Sequence, residues 1–479
     1  MLKQTLARLS PLLMLGVAVI GCKDLTAAPG LPAGTPDPAY YASAAGAIGL
    51  RNAAILRFEN AWVSYMWDSG ALTDELEDNL TSHVSPGQLL QNGGQISDPL
   101  DERILPPGTI GGMATYGLLQ EARADAANAI GALAHYDTAT AEVDTAMVLE
   151  SELYSLEGYA EIMLADLFCS GVPLSTLDFQ KDFTYKPGST SSQVYLDAIL
   201  KFDSAVVLAG TNDSVRYLAQ MGQGRAYLEW GCPNCYAAAA DDVSGVPTTY
   251  TSTYYGVMFG GTSNNLVGST VALVEPYNVA DREGNNGLPF VSSDDPRSAV
   301  GVDSFTYQSN GIKLFVDSVL YPLKYDPQGT IPQPYSSISL YSHFIVANGI
   351  EARLIQAEAA LNGVSTGQGS WINQLNALRE TIGLPNIADP GASNPAAQVD
   401  TMLTERAEWL WLTGHRQGDL RRALRQYSRY ARFGNQQNVY PSGAYLAGGA
   451  GIYGTAVVVP VPLSEDANPY FHGCLSYEP

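Results

Sequence analysis

Apolar residues recur at helical spacing along most of this 479-residue chain and lose that rhythm in one long interior stretch. Between 42 and 67, Ile55, Phe58, Trp62, Val63 and Met66 fall on one side of a helix. Within 116–133, Leu119, Ala122, Ala126 and Ile130 keep the same register, and 146–168 reads as helix until Gly171 and Pro173 break it. The segments 192–208, 215–230, 236–243, 350–361 and 371–382 continue the series. Thr73 is placed to cap a helical restart, with Asp74 and Glu75 in its first turn. From about 245 to 341 the periodicity disappears, and only short runs such as 266–274 read as strands. A compact domain holds so long an irregular stretch mainly where it carries function.

Helices in this succession suggest helix-turn-helix units of tetratricopeptide type. The predicted fold class is all-α, a tetratricopeptide-like helical-pair scaffold with a long irregular loop insertion containing short strands. A tight helical hairpin closes the scaffold. Leu403, Ala407 and Leu410 recur on its first arm beside Trp409 and Trp411, and Gly414 suits a left-handed cap. The second arm starts near Gln417, with Leu420, Ala423, Leu424 and Tyr427 on one stripe. Seven arginines crowd into this hairpin, with Arg421, Arg425, Arg429 and Arg432 on one helical stripe. A stripe of exposed charge ordinarily serves solubility. The sharper expectation is that Arg406 and Arg416 make bidentate pairs with carboxylates from elsewhere, the acidic run 74–78 among them.

The run ERAEWLWLTGHRQGDLRR at 405–422 resembles the C-terminal signature of the SusD/RagB family, bacterial outer-membrane nutrient-binding lipoproteins. Four further runs are similar to that family in order and position. They are SGALTDEL (69–76), LADLFCSGVPLS (164–175), EARLIQAEAALNG with the following LNALR (351–379), and VPLSEDANP (461–469). The resemblance implies the tetratricopeptide-like scaffold and gives Glu405, Arg406, Arg416 and Asp419 a structural part. It also implies a cell-surface protein that binds oligosaccharides or other oligomeric nutrients. Such a protein delivers its cargo, as a lid, to a SusC-like TonB-dependent transporter.

The N-terminus agrees. Lys3 and Arg8 precede an apolar run at 12–20, too short to span a bilayer. Val19-Ile20-Gly21-Cys22 reads as a lipobox, with Cys22 as the lipidated first residue of the mature chain. The expected organisation is a signal peptide at 1–21, a tether at 22–40 and a single domain at 41–479. In that domain the helical scaffold covers 41–244 and 344–432, the insert 245–343 and a tail 433–479. The membrane is met through the lipid anchor only, and the expected location is the outer membrane. Net charge is −23, and −25 once Lys3 and Arg8 leave with the signal. So acidic a chain is a poor nucleic-acid binder, because that affinity rests on phosphate neutralisation.

Of the remaining cysteines, Cys169, Cys232, Cys235 and Cys474 allow three pairings. Cys232-Pro-Asn-Cys235 falls in a turn between helices, where a short structural disulfide fits better than a redox pair. Enzyme signatures are weak. Gly363-Val364-Ser365-Thr366-Gly367 follows a helix where a nucleophile elbow needs a strand. His83, His135, His343, His415 and His472 form no metal-binding pattern, and His415 reads as a cap or surface group. No enzyme activity, cofactor or metal is expected; a surface glycoside hydrolase and an adhesive surface lipoprotein are the alternatives. The six tryptophans lie on predicted helices and suit core packing, whereas the insert is rich in tyrosine. Tyr277, Tyr307 and Tyr325 are the candidate ligand contacts, for an oligosaccharide or a peptide, on a face built from 81–112 and 250–341.

Overall fold

The scaffold helices pack in succession, each against the next one in sequence as far as the eighth, so they form a stack of helix pairs. The computed structural model describes residues 42–78, 99–106, 113–136, 143–177, 179, 183–259, 277–309, 312–325, 340–429, 439–445 and 451–478. The scaffold helices are α1 (Ala44–Leu72), α2 (Met113–Tyr136), α3 (Val143–Leu167), α4 (Ser191–Leu208), α5 (Asp213–Trp230) and α6 (Cys235–Asp242). After the insert come α7 (Gly349–Leu361), α8 (Trp371–Thr381), α9 (Pro395–Trp409) and α10 (Arg416–Gln426). Contacts run α1 to α2, α2 to α3, and so on to α8, and α10 then folds back against α1, α3 and α5. The scaffold is the expected tetratricopeptide-like one.

Local chemistry sets the ends. Thr190 and Gln193 form a reciprocal capping box at α4, the Gln193 amide donating to Thr190 Oγ1 at 3.2 Å. Asn348 caps α7, its side chain accepting from the Glu351 amide at 2.8 Å. Gly231 ends α5 at φ +67°, which costs glycine nothing. Thr73 does not restart a helix as expected. It closes α1, donating from Oγ1 to the Ser69 carbonyl at 2.9 Å, because Asp74 and Glu75 are drawn to the last hairpin instead.

Small residues let the helices approach. Phe202 of α4 lies between α3 and α5, where a Cβ on Gly222 would stand 2.1 Å from its ring and one on Gly158 2.7 Å. Trp62, Trp371 and Trp411 are buried, and Trp67, Trp230 and Trp409 pack against the core. No described helix is long and apolar enough to cross a membrane.

The insert is more ordered than expected. It leaves and rejoins the scaffold through one antiparallel ribbon, β6 (Thr251–Phe259) with β10 (Leu340–Asn348). Phe344 of that ribbon stacks on Trp62 at 4.0 Å between ring centroids. A hairpin of β8 (Val300–Ser309) and β9 (Ile312–Pro322) follows, longer than the short strands foreseen. β7 (Tyr277–Val279) pairs with β1 (Leu76–Asp78) just after α1. The strand expected at 266–274 and most of 81–112 lie outside the described residues.

Gly222→Ala is expected to cost about 1–3 kcal/mol, since an added methyl overpacks the site against Phe202. In a Phe202→Ala background that cost should shrink sharply, because the clash partner is gone. Chemical denaturation of the four proteins measures both numbers.

Candidate functional site

The last hairpin is the electrostatic centre of the molecule. Residues 416–424 of α10 are all buried, Arg421 of the stripe among them, whereas Arg425 and Arg429 are only half-buried. Arg416 donates to both carboxylate oxygens of Asp74 at 2.7 and 2.8 Å. Asp74 also accepts from the Leu288 amide at 2.9 Å, and Glu75 accepts from the Leu412 amide at 2.7 Å. The expected tie between the acidic run and the hairpin is therefore made, by Arg416. Arg406 turns instead to Asp419, donating to its two oxygens at 2.9 and 2.8 Å. Glu405 accepts from Arg379 at 2.5 Å and from Arg297 at 2.7 Å, and Arg297 covers the Trp409 ring at 5.1 Å.

Arg422 sits at the middle of this network. It donates to Glu358 at 3.0 and 2.9 Å, to Asp419 at 2.9 Å and to Glu229. Arg421 caps the end of α3 at the carbonyls of Ala165 and Asp166, and Arg425 donates to the Glu229 carbonyl at 2.6 Å. Arg429 pairs with Asp400 at 2.6 Å, while Arg432 lies outside the described residues. His415 is buried, contrary to expectation, with Nε2 3.0 Å from Glu351 and Nδ1 2.8 Å from the Thr413 hydroxyl. Glu351 is held by Arg225 at 2.7 and 2.8 Å.

Burial splits these acids into two groups. It pushes Glu75 up to about 7 and Glu229 up to about 8, with their arginine neighbours only partly offsetting it. At Glu351 burial acts the same way, but Arg225 and His415 outweigh it and hold the carboxyl down to about 2. Across the hairpin loop, Lys324 donates to the Trp411 carbonyl, and burial lowers its ammonium to about 8 against the pull of Glu75. These charges are paired inside the protein, although Glu75 Oε2, Glu229 Oε2 and Arg406 Nη1 are buried without a hydrogen bond of their own. The arrangement is a buried electrostatic clamp.

The insert face is described in part. Tyr250 and Tyr254 fasten it to the scaffold, donating to the Ser214 carbonyl at 2.8 Å and to Glu152 at 3.0 Å. Tyr255 is 46% exposed on the outer face of β6, edge-on to His343 at 5.1 Å across the ribbon. Tyr277 and Tyr307 fall on β7 and β8, and Tyr325 in a 3-10 turn after β9; their side chains lie outside the described part. Cys22 also lies outside it. Tyr255 was in the sequence as one of a tyrosine pair, and strand alternation is what separates the inward Tyr254 from the outward Tyr255.

The disulfides are Cys169–Cys474, joining the end of α3 to the tail across 305 residues, and Cys232–Cys235, closing the turn before α6. No group of three His, Cys, Asp or Glu among the described residues could hold a metal ion.

Two outcomes follow from the clamp. Arg416→Met should cost about 3–5 kcal/mol by stranding buried Asp74, and adding Asp74→Leu should recover much of it. Thermal midpoints of the single and double variants decide the point. Glu75 and Glu229 bind protons more tightly folded than unfolded, so stability falls as pH rises from their ordinary 4.5 through about 7 and 8. Glu351 works oppositely, losing stability as pH drops from 4.5 toward about 2. The midpoint should therefore be higher at about pH 5 than at about pH 8, with a smaller difference in Glu75→Gln.

No protein-family model matches the chain, and no curated protein matches it in sequence. Solved structures do match. A SusD superfamily protein from Parabacteroides distasonis superposes with a TM-score of 0.60 at 15% identity, covering 90% of this chain and 99% of the other. Surface glycan-binding protein A from Bacteroides uniformis gives 0.58 at 14% identity, over 89% and 99%. A laminarin-binding SusD-like protein gives 0.56 at 15% identity, over 89% and 99%. Over about nine tenths of its length, this chain has the fold of the SusD superfamily.

Proposed function

We propose that the protein is a lipid-anchored, non-catalytic surface protein of the outer membrane that captures oligosaccharides. It hands them to a SusC-like TonB-dependent transporter, over which it acts as a lid. The observation that carries this reading is the fold, shared over nearly the whole chain with a laminarin-binding and a surface glycan-binding protein. The lipobox at Cys22 supplies the anchor, and the five sequence runs given above point the same way. The single folded domain over 41–479 belongs to the same proposal.

The proposed ligand contacts on the insert are Tyr277, Tyr307 and Tyr325, to which exposed Tyr255 of β6 is added. A tyrosine ring offers an apolar face and a polar tip, which suits the two sides of a pyranose. Stacking needs no charge, so a neutral sugar approaches a mature chain of charge −25 without penalty, whereas an acidic ligand is repelled. Closure over the transporter then follows from contacts that the ligand makes only in the closed state.

Calorimetric titration against neutral oligosaccharides and, in parallel, peptides tests the ligand class. Oligosaccharides should bind, and Tyr255→Ala, Tyr277→Ala, Tyr307→Ala or Tyr325→Ala should each weaken binding up to about tenfold. Binding of peptides alone, or sugar binding untouched by all four changes, would contradict it. Purification from native outer membranes should carry a TonB-dependent barrel along.

A further inference from the structure

A cavity of about 500 Å³ opens on the scaffold between α2, α3 and α4. That is within the range of about 300–1,000 Å³ usual for small-molecule sites. Its lining comes from these helices, Leu177 of β3 (Thr176–Leu177) and Phe179, and none of it from the insert. One wall is aromatic. Phe179 meets His135 at 5.9 Å and Tyr136 edge-on at 5.7 Å, and Tyr154 lines the cavity as well. The seat for Phe179 is built by Gly131 of α2, where a Cβ would stand 2.4 Å from that of Phe179. The other wall is polar. Lys201 Nζ lies 2.9 Å from Glu157 Oε1, and the Glu157 side chain is only 4% exposed. Burial opposes the Lys201 charge, but Glu157 and Glu161 outweigh it and raise the ammonium above its usual value.

This combination selects a ligand chemistry. An anion would face Glu157, with Glu161 and Asp197 behind it, and a cation would face Lys201. A wholly apolar molecule would cover the ion pair without replacing its lost water. A neutral polyol ring satisfies both walls. Its carbon–hydrogen face lies on Phe179, while its hydroxyls donate to Glu157 and accept from the ammonium protons that Glu157 leaves. Phe183, directly across from Leu177 at the cavity edge, is half exposed and packs on Tyr185 at 4.9 Å, continuing the aromatic surface outward.

We propose that this cavity is a second saccharide subsite, taking one or two neutral pyranose rings independently of the insert face. The class of ligand rests on the function proposed above; the place does not. The full chain is titrated with maltose, cellobiose and laminaribiose, by calorimetry and by saturation-transfer NMR. Two cavity variants are compared with Ile382→Ala, an exposed position at the end of α8 away from both sites, at matched thermal midpoints. Phe179→Ala removes the aromatic wall, and Ala134→Trp blocks the cavity from an exposed lining position without touching the core. At least one disaccharide should bind, and both cavity variants should weaken it about tenfold or more, while Ile382→Ala leaves it unchanged. The inference is overturned if no disaccharide binds the parent, or if both cavity variants bind like it. Longer oligosaccharides that bind through the insert tyrosines while ignoring both cavity variants would sustain the proposed function and remove the subsite.

Discussion

Arg422 is the contact on which the arrangement of the scaffold turns. One fully buried guanidinium meets Glu229 of α5, Glu358 of α7 and Asp419 of its own helix, and Arg406 of α9 shares the last of these. Taking these charges out of water is expensive, and their mutual attraction does little more than return that cost. What the network supplies is geometry. Planar guanidinium forks accept few carboxylate positions, so four helices far apart in sequence have one mutual placement in which no charge is stranded. Arg416 extends the same logic to Asp74 and brings the end of α1 against the hairpin, 342 residues away in sequence.

With the hairpin held, the remainder follows. The scaffold helices stack pairwise through small residues, and the insert rises on a single ribbon whose inner face stacks on Trp62. The tail runs back along the end of α3, pinned by Cys169–Cys474 and by the pairing of Phe168 with Val459. Tyr255 is thus displayed on a ribbon fixed at its base, and the cavity between α2, α3 and α4 is walled by helices already locked in place. The binding surfaces proposed for this protein sit on rigid supports, as oligosaccharide stacking requires.

The helices were legible because amphipathic periodicity is a local property, and most lie within a few residues of their expected spans, although α9 begins at Pro395, earlier than the arm read from Leu403. The partner of Arg416 was legible too, since a cationic cluster in an acidic chain has to find its counter-charges. What escaped was whatever depends on the third dimension. The arginines of α10 look like a surface stripe until three other helices cover them, and His415 looks like a surface cap for the same reason. Thr73 carries good capping chemistry, but its neighbours Asp74 and Glu75 are claimed by the hairpin, so α1 ends there. The β8–β9 hairpin had a local signal. Asn310-Gly311 separates Ser309 from Ile312, with Ile312, Leu314 and Val316 alternating after it, a period-2 pattern distinct from the helical rhythm of the scaffold. The cavity has no signal along the chain at all, because Gly131, Glu157, Phe179 and Lys201 meet only once the helices stack.

Native-state hydrogen exchange across a series of denaturant concentrations tests most directly whether the buried arginine network joins the two ends of the chain. The account predicts that the slowest amides of α1, α5, α7 and α10 share one opening free energy, since none can open without exposing the others' charges. A result in which α1 exchanges through a separate, lower-energy opening while α7 and α10 stay protected would contradict it.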